Sequence, residues 1–165
     1  MIKVDLKKIT LNFIIVFAIF LADRLSKIYI LKVAKLENTV DIYINSYLNF
    51  YLIWNKGIAF GLFSFEENLI YNLISSIILI ISIALIVMII KSEGIKKYSL
   101  ILILGGAFGN LFDRIYYSAV PDFIDLHING FHWFIFNVAD VFITIGVFCL
   151  ILDELFFYKK NNEFE

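Results

Sequence analysis

Four aspartates lie within or beside long apolar stretches of this 165-residue chain: Asp23, Asp113, Asp122 and Asp140. Ionisable groups in apolar, membrane-type segments are costly, and they usually mark chemistry. Asp122 and Asp140 bracket a segment whose length and turn signals could bring both carboxylates to one place. Two close carboxylates cannot both ionise easily, so one holds a proton while the other can take one from water. This pairing predicts an aspartyl hydrolase embedded in a membrane.

Such a pair needs no metal and no cofactor. The ionised carboxylate activates water against an amide carbonyl, and the protonated one donates toward the oxyanion and then helps the leaving amine. Candidate supports that would hold the carboxylates or the substrate backbone by hydrogen bonds are Asn110, Arg114 and Asn137.

The dipeptide Asn129-Gly130, between two apolar residues, predicts a two-residue β-hairpin turn. Extending the hairpin register backward places Asp122 opposite Asn137. Asp140 follows Asn137 by three residues, which is one turn along a helix. The spacing therefore predicts that the two carboxylates are neighbours.

Other roles for the acids stay open on spacing alone. Asp125 lies in the same short run as Asp122 and could replace it in the pair. Asp113 is adjacent to Arg114, and we favour a structural ion pair that caps the third helix over direct catalysis.

Asp23 and Lys27 are four residues apart on one helix face, which suits either a structural bridge or substrate contact. Ser26 beside Lys27 suggests a serine-lysine protease, but adjacent residues on a helix point in different directions. We interpret His127 and His132 as interfacial side chains, because neither has two further ligands at a spacing typical of catalytic zinc.

Composition indicates an integral membrane protein. Hydrophobic residues make up 61% of the chain and the mean hydropathy is +0.87, above the values of soluble globular proteins. No linker or repeat divides residues 1–165, so we expect a single domain. We also expect the protein to be a monomer. A net charge of −1 and the absence of a basic patch give no argument for nucleic acid. The single cysteine, Cys149, excludes an internal disulfide.

Apolar stretches predict four transmembrane helices at 9–31, 68–90, 98–113 and 136–157, with outer segments at 32–67 and 114–135. Most lysines fall on the side shared by the two termini and by the turn after the second helix. The positive-inside rule therefore places both termini in the cytoplasm. The acids then converge at the outer face of the membrane.

The first outer segment alternates apolar and polar residues over 40–45 and again over 48–54, which predicts strands. Many aromatic residues accompany them and suit a small sheet at the headgroup region, either as a cradle for a lipid-bearing ligand or as an anchoring belt. The predicted fold is therefore a mainly α membrane protein with a small extracytoplasmic β-rich cradle. We expect the loop around Trp54 to Phe65 to close over the site.

Five separate blocks of the sequence resemble the lipoprotein signal peptidase (signal peptidase II) family, in matching order and spacing. They are DRLSK at 23–27, NKGIAF at 55–60, GGAFGNLFDR at 105–114, VPDF at 120–123 and FNVAD at 136–140. The resemblance extends over nearly the whole chain.

This resemblance implies an aspartic endopeptidase of the bacterial inner membrane. It would remove the signal peptide from diacylglyceryl-modified prolipoproteins by cutting immediately before the lipidated cysteine, and a globomycin-type cyclic peptide would inhibit it. Asp122 and Asp140 would be the catalytic pair. The positions implied for support and substrate contact are Asp23, Lys27, Asn55, Gly57, Asn110, Asp113, Arg114 and Asn137.

Two other classes of function could use the membrane acids or the outer strands. A transporter would use membrane acids to relay protons, but it would place them near the midplane and often shows inverted repeats. A membrane adaptor would bind a partner through the outer strands, and it would leave the paired aspartates unexplained.

Overall fold

The computed structural model describes residues 6–57 and 68–161. In chain order these residues form α1 (Leu6–Glu37), β1 (Asp41–Asn45), β2 (Leu48–Asn55), α2 (Asn68–Lys91), α3 (Gly94–Tyr117), β3 (Val120–Ile128), β4 (Phe131–Phe136) and α4 (Val138–Asn161). The fold is thus mostly helical with one small antiparallel sheet, as the sequence predicts.

Helix α3 is central, because it packs against each of the other three helices. Its apolar side chains form a core with α2 that contains Leu85, Ile89, Leu100, Ile101 and Leu104. Many other large apolar side chains of the helices face outward; Phe13 is 67% exposed and Ile80 is 65% exposed. An apolar exterior of this extent is unusual for a soluble monomer.

Two glycines of α3 allow close packing at the level of the acids, as expected for small residues between membrane helices. A Cβ on Gly106 would lie 2.4 Å from the carbonyl oxygen of Ala139, and a Cβ on Gly109 would lie 2.6 Å from Oδ2 of Asp23. These glycines therefore bring α1 and the first turn of α4 into direct contact with α3.

The strands form one antiparallel sheet in the order β1-β2-β3-β4. The predicted strands in the first outer segment are confirmed as β1 and β2. The predicted hairpin is confirmed as well, since Ile128 pairs with Phe131 and the turn residues Asn129 and Gly130 have φ of 50° and 80°.

The backward extension of that register was wrong by one residue. An irregularity between Asp125 and His127 shifts the pairing, so the β3–β4 ladder ends at Ile124 opposite Phe136. A bulge of this kind adds one residue on one strand and bends it. Asp122 is therefore not a direct ladder partner of Asn137, although their side chains meet.

The ends of the helices differ from those of the predicted spans. Helix α3 is longer than predicted, since it covers 24 residues where we predicted the segment 98–113. Helix α4 begins two residues later than predicted, at Val138, because Phe136 belongs to β4. Within the described residues, one stretch, Tyr71–Lys91, meets the criteria of a membrane span by length and composition. The predicted closing loop lies largely outside the described residues, from 58 to 65.

Candidate active site

The first turn of α4 fixes Asp140. The side-chain Oδ1 of Asn137 accepts a hydrogen bond from the backbone N of Asp140 at 3.1 Å, and Oδ2 of Asp140 accepts one from the backbone N of Asn137 at 3.2 Å. This reciprocal arrangement is a capping box, in which the residue before a helix and the third residue within it satisfy each other's backbone donors. The spacing Asn-x-x-Asp was therefore a local signal for the position of Asp140.

Asp122 projects from the start of β3 and is 3% exposed. Its Oδ1 accepts a hydrogen bond from Nδ2 of Asn137 at 2.6 Å, and its Oδ2 accepts one from Nδ2 of Asn55 at 2.9 Å. The backbone N of Gly57 donates to Oδ1 of Asn55 at 2.8 Å, which orients that amide. Both carboxylate oxygens of Asp122 are thus held by neutral amide donors.

Asn137 contacts both carboxylates, so it joins Asp122 and Asp140 in one site. We call these two residues the carboxylate pair. Burial raises the pKa of Asp122 from 3.8 to about 6, and the charge of Asp140 adds to this effect. The hydrogen bonds from Asn137 and Asn55 and the charge of Lys27 act in the opposite direction and lower the pKa. Burial and a like charge both disfavour the ionised form. The site therefore favours a proton on Asp122 at mildly acidic pH.

A second group of charges lies beside the pair, and we call it the ion cluster: Asp23, Arg24, Lys27 and Asp113. Lys27 Nζ contacts Asp23 at 2.9 Å and Asp113 at 2.6 Å, and Arg24 contacts both acids through its two terminal nitrogens. Asp23, Lys27 and Asp113 are fully buried, and Arg24 is 7% exposed. Two acids thus face two bases across α1 and α3.

This cluster corrects one prediction. Asp113 does form a structural ion pair, but its partners are Arg24 and Lys27 of α1, and not Arg114. The helix also continues for a further turn to Tyr117. Arg114 instead donates to the backbone oxygens of Gly57 at 2.8 Å and Asn110 at 3.4 Å. It therefore fixes the end of β2 against α3.

The serine-lysine alternative receives no support from this geometry. Ser26 Oγ donates to the backbone oxygen of Asp23 at 2.8 Å, while Lys27 Nζ is bound to two carboxylates. The hydroxyl and the amine are therefore bound to different partners and do not contact each other.

Asn110 joins the two groups of charges. Its Nδ2 donates to Oδ1 of Asp140 at 2.8 Å, and its Oδ1 accepts from Lys27 Nζ at 3.2 Å. A second link runs from the backbone N of Ala139 to Oδ1 of Asp23 at 3.0 Å. The ion cluster thus holds the start of α4, and with it Asp140, in place.

Two cavities meet at Asp140. A cavity of about 270 Å³ is lined by both members of the carboxylate pair together with Asn55, Asn110, Arg114 and Asn137, and by apolar residues of α2, α3 and α4. A larger cavity of about 670 Å³ lies between the β3–β4 hairpin and α4, and its lining is mostly apolar apart from Asp140 and a few polar residues. The carboxylates therefore have access to space for an extended ligand with both polar and apolar parts.

Comparison with known proteins decides the family. Residues 15–156 match the family described as Signal peptidase (SPase) II, peptidase family A8. The chain belongs to the signal peptidase II family.

Similar relatives agree with this assignment. The chain is 61% identical to a lipoprotein signal peptidase of Pelagibacter ubique over 98% of each chain, and 39% identical to one of Anaplasma phagocytophilum over 91% of this chain and 95% of the relative. Two solved bacterial membrane enzymes have the same fold. One is 31% identical with a TM-score of 0.71 over 90% of this chain and 94% of its own, and the other is 25% identical with a TM-score of 0.69 over 89% and 88%.

All five sequence blocks that resemble signal peptidase II contribute side chains to this one region. The supporting residues predicted from sequence form one connected network around the carboxylate pair. Asn55, Asn110 and Asn137 contact the pair directly. Gly57, Lys27 and Arg114 each contact one of these asparagines, and Asp23 and Asp113 contact Lys27. Their roles in substrate contact stay a prediction.

Asp125 does not join the carboxylate pair. Its carboxylate instead lies beside His132, at 2.9 Å and 3.1 Å from Nδ1, and beside His127, at 3.7 Å. Our reason for treating the histidines as interfacial was the lack of further ligands, and that reason was wrong. The sequence could have shown that the two histidines are neighbours, because the register of the Asn129-Gly130 hairpin pairs His127 with His132.

Proposed function

We propose that this member of the signal peptidase II family is an aspartic endopeptidase that removes signal peptides from diacylglyceryl-modified prolipoproteins. Cleavage falls immediately before the lipidated cysteine. The observation that carries the proposal is that Asn137 binds Asp122 and Asp140 at once, in a buried site open to a cavity. The names of the relatives support the substrate class.

The carboxylates act as a general acid and a general base. The ionised carboxylate removes a proton from a water molecule, which attacks the carbonyl carbon before the cysteine. The protonated carboxylate donates to the developing oxyanion, and the pair then returns a proton to the leaving amine. The raised pKa of Asp122 suits it to hold the shared proton before the reaction.

The supporting residues place the reacting groups. Asn137, Asn55 and Asn110 fix the carboxylates through neutral donors, and no cation of residues 6–57 or 68–161 contacts either carboxylate directly. Orientation of this kind removes much of the entropy cost of bringing water, acid and base together. The apolar larger cavity offers space for acyl chains, while the smaller one takes the peptide.

We further propose that all four helices cross the bacterial inner membrane, with both termini in the cytoplasm and the carboxylate pair near the outer face. A helix of 24 residues is about 36 Å long, which is enough to cross roughly 30 Å of hydrocarbon. The charges of α1, α3 and α4 that interrupt their apolar sequences are buried in the site, whereas apolar side chains face outward. A lipidated substrate then enters sideways from the bilayer, and the enzyme acts as a monomer.

The test is cleavage of a lipidated prolipoprotein by the purified protein in liposomes. We expect cleavage before the cysteine, inhibition by globomycin, and loss of activity in folded Asp122→Asn and Asp140→Asn variants. Asp41→Asn, which changes an exposed acid of β1, is the matched control and should stay active. Cleavage retained by Asp122→Asn but lost in Asp125→Asn would contradict the assignment, as would an inactive wild type.

A further inference from the structure

Three side chains with metal-binding atoms meet on the β3–β4 hairpin, away from the carboxylate pair. His127 and His132 are ladder partners on the two strands, and Asp125 precedes His127 by two residues. One ligand atom from each residue lies within 4.8 Å of the other two. The two imidazole rings are stacked with centroids 5.1 Å apart. The hairpin thus presents two nitrogens and one carboxylate at one point.

The contacts within the hairpin leave part of this group unsatisfied. Nδ1 of His132 contacts both oxygens of Asp125, and that pair is complete as it stands. Nδ1 of His127 is buried and has no hydrogen-bond partner among the described residues; it faces Oδ2 of Asp125 at 3.7 Å. A buried polar atom without a partner is costly, so its presence calls for an explanation.

We propose that Asp125, His127 and His132 form a binding site for Zn²⁺ or a similar divalent transition metal. The ion would bind Nδ1 of each histidine and one oxygen of Asp125, with a fourth position open to water. Imidazole nitrogen and carboxylate oxygen are common ligands of zinc, whereas Mg²⁺ and Ca²⁺ prefer sites made of oxygen alone.

Two of the three separations between donor atoms lie close to the value that such an ion requires. Zinc binds nitrogen and oxygen at about 2.0–2.2 Å with tetrahedral geometry, so ligand atoms lie roughly 3.4 Å from one another. The two separations from Oδ2 of Asp125, 2.9 Å to His132 and 3.7 Å to His127, lie on either side of that value. The side chain of His132 is 57% exposed, so it can adjust without disturbing the core.

The bound metal would tie β3 to β4. His127 also lines the larger cavity, opposite α4, so the metal would stabilise one wall of that cavity. No step of peptide cleavage passes through the ion, and the proposal does not depend on the proposed function. Its expected effect is therefore on metal affinity and on the thermal stability of the hairpin.

The test measures Zn²⁺ binding to the tag-free, metal-stripped full-length protein in detergent, by competition with a chromogenic chelator. We expect one equivalent to bind and to raise the melting temperature, and excess Mg²⁺ to leave the binding unchanged. Loss of a supporting partner typically weakens metal binding by about 10–100-fold, so loss of a direct ligand in His127→Ala, His132→Ala or Asp125→Asn should cost at least that.

His132→Gln is the variant that protects the test against misfolding, because it keeps a donor for Asp125 while removing the imidazole. It should fold normally and lose the zinc-dependent rise in melting temperature. Asp41→Asn, an exposed acid of the same sheet, should bind zinc like the wild type. Failure of the wild type to bind zinc, or equal binding by His132→Gln and the wild type, would overturn the proposal.

Discussion

The ion cluster and the carboxylate pair lie side by side and are both buried, but opposite charges contact each other in the cluster, whereas neutral donors bind the acids of the pair. In the ion cluster two acids contact two bases directly, and the formal charges balance. Among the described residues, the two acids of the carboxylate pair contact only neutral amides and backbone donors. Asn110 is the boundary, since it binds Lys27 on one side and Asp140 on the other.

The difference teaches how a membrane protein can keep reactive acids in a fixed position. A buried ion pair satisfies its own charges, so it can fix geometry between helices. A pair of like charges held by amides lacks this compensation, and burial together with the charge of Asp140 raises the pKa of Asp122 to about 6. In the proposed enzyme, the balanced cluster would supply the structure, and the unbalanced pair would supply the chemistry.

The largest expected effect is on catalysis. Asp140→Asn keeps the shape of the side chain but removes a titratable group, and it should lower the rate of cleavage by about 10²–10⁴-fold or more. Single-turnover cleavage of a lipidated prolipoprotein measures this. A melting temperature close to that of the wild type would show that the loss is chemical. A rate within about tenfold of the wild type would remove Asp140 from the pair.

The next effect is on stability. Lys27→Met removes the cation that contacts both acids of the ion cluster, so it leaves buried negative charge without its partner. Breaking a buried ion pair on one side costs about 3–5 kcal/mol. Thermal unfolding in detergent should show a large drop. Lys32→Met, at an exposed position of the same helix, is the control and should change little. Similar melting temperatures for both variants would show that the cluster is not structural.

A third prediction concerns pH. The pKa of Asp122 is raised from 3.8 to about 6 in the folded protein, so the folded state binds more protons than the unfolded state between these values. Stability should therefore fall as pH rises through that window, by up to roughly 3 kcal/mol from this one group. Asp122→Asn should lack this dependence. The gap between its melting temperature and that of the wild type should widen in the variant's favour from pH 4 to pH 7. A constant gap would contradict the raised pKa.

The smallest effect is expected from packing. Gly106→Ala places a methyl group 2.4 Å from the backbone oxygen of Ala139, where neither partner can easily give way. Overpacking of this kind typically costs about 1–3 kcal/mol. Because Ala139 precedes Asp140, cleavage should fall as well. Ser76→Ala, at an exposed position of α2, is the control for a small change within a helix. Equal thermal stability of the two variants would show that α3 and α4 are not in tight contact.

Local signals predicted much of the carboxylate pair from sequence. The Asn129-Gly130 turn fixed the hairpin, and the separation of Asn137 and Asp140 placed both near Asp122, although the bulge beyond Asp125 shifted the register. A bulge depends on packing between strands, and the turn sequence does not encode it.

The ion cluster was harder to predict. Its acids and bases come from α1 and α3, which are distant in sequence, so neighbour rules assigned Asp113 to the adjacent Arg114. The contact between these helices depends on the close approach that Gly109 allows. Partners across a helix interface are set by tertiary packing, which spacing along one helix does not reveal.

The most direct test of the account compares one acid from each region in a single experiment. Asp122→Asn and Asp113→Asn are purified in parallel, and both melting temperature and cleavage of a lipidated prolipoprotein are measured on the folded fraction. We predict that Asp122→Asn is folded and inactive, whereas Asp113→Asn melts at a lower temperature but its folded fraction still cleaves. An Asp122→Asn variant that cleaves, or an Asp113→Asn variant that is fully stable and inactive, would contradict the division between paired and unpaired charge.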